Sequence, residues 1–146
     1  MEIQVTTDNV VEMLVVNGSV NFSSDCDPYV SQMQQNINLV FGKGFYRELT
    51  FEGVHIGYGI LDIKKNTAFH FDTEDEIIEM RFLLKGDSLT MMEQLGTSLK
   101  LHSNQHTIIF SKGSKGISHW KRTRGMQVFE INLSKTFFSK YSSVLN

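Results

Sequence analysis

The sequence has one cysteine and one proline among 146 residues, and nowhere do about 18 apolar residues run together. A single Cys26 excludes an internal disulfide framework and suits a reducing compartment. The absent apolar run leaves no candidate membrane span, and the opening MEIQVTTDNVVEM has no basic segment ahead of an apolar one, so no secretory leader is expected. Charge of one sign is lacking too. Fourteen basic residues against sixteen acidic leave a formal net charge of -2, which gives no electrostatic pull toward a polyanion such as DNA. A soluble, cytoplasmic domain that contacts neither membrane nor nucleic acid by itself is the expectation. There is no GxSxG elbow and no phosphate-cradling glycine loop ahead of a helix. Cys26 sits among acids in SSDCDP, surroundings that disfavour a thiolate nucleophile.

What is present reads as β structure in a single domain, residues 1–146, with enough apolar material (40%) for one core. Eleven glycines fall between short runs rich in Phe, Ile, Val and Thr. In FYRELTFE, Phe45, Leu49 and Phe51 share one face, and Tyr46, Glu48 and Thr50 the other. VHIGYGILDIKK sets Val54, Ile56, Tyr58 and Ile60 against His55 and two glycines, which mark a bulge or bend. EIIEMRFLLKG alternates as well. Shorter strands are expected at SLTMM, around Leu99 and Leu101, at HTIIFS, ISHWKRT and MQVFEINL, with turns at KGD and SKGSKG. Strand follows strand without a crossover helix, the order of a sandwich or jelly-roll barrel. One helix is expected, in LSKTFFSKYSS over 134–143, with Ser134 as N-cap and Leu133, Phe137, Phe138 and Tyr141 turned toward protein. DNVVEMLVV reads equally as capped helix or strand, and DPYVSQMQQ offers Asp-Pro as a helix start.

The succession GFYRELTFEGVHIGYGILDI, EMRFLLKG, NQHTIIFSKGSKG and MQVFEINLSKTFFSKY, covering about 36–143, resembles the N-terminal domain of AraC-type transcriptional regulators. The likeness is to the branch that includes siderophore-responsive regulators. It implies a mainly β, cupin-like double-stranded β-helix or jelly-roll barrel over about 36–133 with a C-terminal helix. It also implies an unknown small-molecule effector, a homodimer, and DNA contact only through a helix-turn-helix domain that this chain does not contain.

Metal-binding cupins place two histidines, a carboxylate and a distant histidine inside the barrel. Here the corresponding stretch reads His70-Phe71-Asp72 with Glu76 after it, and GTSLKLHSNQH supplies His102 and His106 without the expected Pro-x-Gly turn. Such a set could hold Fe, Mn or Zn in a small dioxygenase or isomerase. The plainer reading is that TEDE is a solvated acidic turn, His106 a hydrogen-bonded histidine on an apolar face, and the barrel free of metal and cofactor. The expected effector-binding residues are polar or aromatic groups on barrel strands: Arg81, Tyr58, His55, Arg47 and Trp120. Arg81 needs a carboxylate, from the ligand or from Glu79 beside it. The basic run Lys121 to Gly125 reads as a solvated strand edge.

Overall fold

The computed structural model describes residues 2–7, 10–15 and 30–142. These residues form strands β1 (Glu2–Thr7), β2 (Val10–Val15), β3 (Ser31–Leu39), β4 (Gly42–Phe51), β5 (Val54–Ile63), β6 (Thr67–Lys85), β7 (Asp87–Met92), β8 (Thr97–His102), β9 (Gln105–Trp120) and β10 (Thr123–Ser134), followed by helix α1 (Lys135–Ser142). The alternating runs become strands as their period demands. β4 and β5 close into a hairpin through Glu52 and Gly53, both at positive φ (32° and 82°), which matches the twist of the flanking strands. DNVVEMLVV resolves to strand β2. The Asp-Pro helix start and Cys26 lie outside the described residues, while Ser31 onward is strand rather than helix and extends the barrel ahead of position 36.

Every pairing is antiparallel, in the order β3-β4-β5-β10-β6-β9-β7-β8, with β1 joining β2 to β6. The two long strands β6 and β9 shape the molecule. They pair from Thr67 opposite Trp120 to Leu83 opposite Gln105, with a register shift between Thr73 and Glu76. Before the shift β6 borders β1, and β9 borders β7; after it β6 borders β10. The bent pair thus passes from one sheet into a second that folds over it. Two expected turns are corrected here: TEDE and SKGSKG are continuous strand, because residues 73–76 and 112–114 form the bulge. Gly113, at φ 72°, supplies the left-handed position that lets β9 bend without stopping.

The core lies between the two sheets. Ile37, Leu61, Ile63, Leu83 and Met126 from the β3-β4-β5-β10-β6 side meet Val5, Phe69 and Leu101 from the other, around a fully buried Phe41. Phe41 meets Phe69 edge-on at 5.3 Å between centroids. α1 begins where expected. Ser134 Oγ accepts from Phe137 N at 3.2 Å, and Lys135 and Lys140 reach Glu76 and Glu52 at 3.2 and 3.0 Å. Its aromatic face is only partly covered: Phe137 is half-buried, while Phe138 and Tyr141 stay exposed, contrary to the expected inward turn. Ser134→Ala is expected to cost about 1 kcal/mol, read as faster amide exchange at Phe137 together with a lower urea midpoint.

Candidate functional site

The inner face of β4, β5, β10 and β6 changes character halfway along. At one end it presents Leu61, Ile63, Met126 and Leu83 to the core; two pairs of residues further on, the same face carries Glu48, His55, Glu130, Asn132, Arg81 and Glu79. Three carboxylates sit in mid-strand, Glu79 and Glu130 between apolar residues pointing the other way and Glu48 between Arg47 and Leu49. Register assembles them: Glu48 and Glu130 both oppose Gly57, Arg81 opposes Glu130, and Asn132 stands between His55 and Glu79.

Tyr46 roofs the cluster. Its ring crosses β5 above Gly57 and Gly59, and its hydroxyl donates to Glu130 Oε1 at 2.7 Å. Burial, reinforced by the Glu130 charge, pushes this phenol far above its usual range, so it stays protonated and donating. Arg81 Nη2 lies 2.5 Å from Glu79 Oε1, the two side chains being 23% and 11% exposed. Desolvation raises the Glu79 carboxyl, with the Arg81 charge opposing it. The Arg81 guanidinium is held above its ordinary value: burial disfavours its charge, but Glu79 and Glu130 more than offset that.

His55 links two partners. Its Nε2–H donates to Glu48 Oε2 at 2.9 Å, and its Nδ1 accepts from the Asn132 amide at 3.2 Å. The other atom of that amide, Asn132 Oδ1, is buried with no hydrogen-bond partner among the described residues. A second proton on His55 would reverse this, since a turned amide could then accept from Nδ1–H. The Glu48 hydrogen bond raises the His55 pKa, burial opposes it, and the Glu130 and Glu48 charges add to the rise. A group held above its unfolded value contributes stability that is complete below about pH 6.5 and lost as pH climbs through the raised value. The expected result is an NMR titration of His55 with its midpoint above the ordinary imidazole range. Glu48→Gln should bring that midpoint down, because burial remains after the charge has gone.

Of the five residues expected to line one pocket, the structure brings two together, Arg81 and His55. Arg47 and Tyr58 oppose each other on the outer face, where Arg47 donates to Gln34 Oε1 at 3.0 Å. Trp120 packs 4.3 Å from Phe69 beside the core and donates to Ser118 Oγ at 2.9 Å. The two depressions formed beside β3, about 520 and 230 Å3, also belong to the outer face. Tyr46, Glu48, Glu130 and Asn132 were missed by sequence reasoning. For Glu130 and Asn132 the signal was a polar side chain in mid-strand between apolar neighbours, in QVFEINL; Tyr46 and Glu48 adjoin Arg47 and carried no such signal.

The residues of the alternative metal set do not converge. His70 meets Thr6 Oγ1 at 3.1 Å, exposed Asp72 is 4.0 Å from Lys115, and Glu76 pairs with Lys135. His102 is bound to Asp87, whose carboxyl its ring draws below the usual range, and His106 stacks on Phe82 on the outer face at 5.6 Å. Among the described residues, no three His, Cys, Asp or Glu side chains are grouped to hold an ion. None of their helices is long and apolar enough to cross a membrane.

Two facing antiparallel sheets with a polar cluster at one end of their shared interior define a cupin-like β barrel. Among solved structures, Fe(II) HppE matches with a TM-score of 0.52 at 8% identity, over 82% of this chain and 62% of that one. An RmlC-like cupin from Shewanella frigidimarina matches at 7% identity, TM-score 0.48, over 80% and 91% of the two chains. Ectoine synthase from P. lautus matches at 11% identity, TM-score 0.46, over 67% of each. Identities this low bear on fold alone. No protein-family model and no curated protein matches the chain.

Proposed function

We propose that this barrel is the sensor and dimerisation domain of an AraC-type transcriptional regulator, receiving a small-molecule effector at the polar end of its interior. The carrying observation is the cluster itself: Tyr46, Glu48, His55, Glu79, Arg81, Glu130 and Asn132 converge from four strands, the buried Asn132 Oδ1 lacks a hydrogen-bond partner among the described residues, and Arg81 retains a solvent-reachable edge. Pairs of this kind are costly to bury for stability alone. They are well suited to exchanging a protein partner for a ligand group. α1 leaves the barrel directly after β10, the strand carrying Glu130 and Asn132, so a ligand that shifts β10 shifts the helix. A coupling of about 1–3 kcal/mol between the two is sufficient for switching.

The test is thermal-shift screening of the chain against sugars, aromatic acids, amines and siderophores. Arg81→Gln and Phe138→Glu serve as the site and surface variants. A ligand that stabilises the parent and Phe138→Glu but not Arg81→Gln supports the reading. A ligand that stabilises all three equally removes the cluster as its site. A gene whose reading frame stops after Asn146, with no helix-turn-helix units following, removes the regulator.

A further inference from the structure

The outer face of the larger sheet carries what its inner face lacks. Directly opposed residues share a face, so the register defines a row across six strands: Gln32, Leu49, Ile56, Ile131, Met80 and Ile108. None is charged. The next row reads Gln34, Arg47, Tyr58, Phe129, Phe82 and His106. At the β9 end apolar side chains stand open to solvent, with Ile108 65% and Phe110 57% exposed. At the β3 end it is hollow, with a groove of about 230 Å3 lined by Gln32, Arg47, Leu49, Ile56 and Tyr58 as well as Glu48. The exposed Ile108 and the hollow lie at the same level along the strands.

We infer that two copies of the chain pair through this face about a two-fold axis running along the strands between β5 and β10. That operation carries each row onto itself reversed. Ile131 meets Ile56, Met80 meets Leu49, Ile108 enters the groove beside Gln32, and in the next row Phe82 meets Arg47 while Phe129 meets Tyr58. A surface whose knob and hole exchange under one two-fold axis is complementary to itself, which singles out a second copy as its occupant. The size fits as well. Six strands about 4.8 Å apart and about 30 Å long present about 700 Å2, near the roughly 800 Å2 per partner of a standard interface. An uncharged centre with Gln32, Gln34, Asn36 and Asn38 along one rim has the anatomy of a homodimer contact. The dimer deepens the reading above and rests on its dimeric part; the surface is different from the exposed aromatics of α1.

The test is the molar mass of the full chain by light scattering over a concentration series. The parent should dimerise. Ile108→Lys should raise the dissociation constant at least about 100-fold, because the two-fold axis counts each substitution twice. Phe138→Glu should change nothing. Aligned sheets cross at about 30°, which displaces the edges by about one row. A cysteine at Ile108 in a Cys26→Ser background should therefore cross-link between copies with one at Gln32 or Gln34. Hydrogen exchange of the unaltered protein, slower in β9 and β10 as concentration rises, gives the same information should a variant misfold. A monomer at every concentration overturns both this interface and the dimeric reading. A dimer lost with Phe138→Glu but kept with Ile108→Lys, or one without the cross-link, overturns this interface and leaves the dimeric sensor standing.

Discussion

Arg81→Met is expected to lower the free energy of unfolding by about 3 kcal/mol at neutral pH. The guanidinium is the cation set against Glu79 at 2.5 Å and beside Glu130, and methionine fills much of its volume while leaving the poorly solvated Glu79 without its cation and still subject to the Glu130 charge. The loss should depend on pH in a definite direction. Desolvation already raises Glu79 with Arg81 in place, and removing the opposing charge raises it further. An acid held above its unfolded value binds more protons in the folded state, so its contribution falls as pH rises through the interval between the two values. Acidification should therefore narrow the gap between variant and parent. Glu79→Gln in the Arg81→Met background should recover part of the deficit, because the unpaired charge, not the lost side chain, is the main cost. Urea titrations at several pH values measure this. A single variant within about 0.5 kcal/mol of the parent, or a gap that widens in acid, would show that the pair does not hold the cluster together.

Gly57→Val is the second large effect, and simple propensity gives it the wrong sign. Valine favours strands and glycine weakens them, so a residue-by-residue view expects stabilisation. A Cβ at position 57, however, would run into the Tyr46 hydroxyl, with the ring Cζ at 2.8 Å and Glu130 Cγ at 3.0 Å. The ring must leave β5, the hydrogen bond to Glu130 is lost, and overpacking adds its own strain. A destabilisation of about 3 kcal/mol follows. Tyr46→Ala combined with Gly57→Val should be far less harmful than the sum of the two, since the first removes the obstacle to the second. Additive losses in the double variant would mean that Tyr46 and Gly57 do not share the space.

These cases show how the site relates to what can be read from the chain. Arg81 with Glu79 was recognisable in the sequence as a pair two residues apart on one strand face, whereas Glu48 and Glu130 were not singled out there. That Glu130 stands beside Arg81 was not visible. It depends on β10 entering between β5 and β6, a pairing across about 50 residues that local pattern does not encode. His70, Asp72, Glu76, His102 and His106 looked like the remnant of a metal set because spacing alone groups them. The bulge between Thr73 and Glu76 and the separate course of β8 disperse them.

By itself the sequence determined the kind of element at most positions. Alternation with period two made the strands, Glu52-Gly53 turned the hairpin, and Ser134 started the helix. Its single cysteine, small net charge and want of long apolar runs narrowed the classes of function expected of it. Tertiary structure alone decided which face of each strand looks inward. Period two defines two faces without saying which one meets the second sheet, and on β4 and β5 the more apolar face is the outer one. The inner face closes because Gly57 and Gly59 leave room for the Tyr46 ring and its bond to Glu130. His55 and Arg81 were thereby brought to one site, and Arg47 and Tyr58, equally plausible in sequence, were left on the other side of the same sheet.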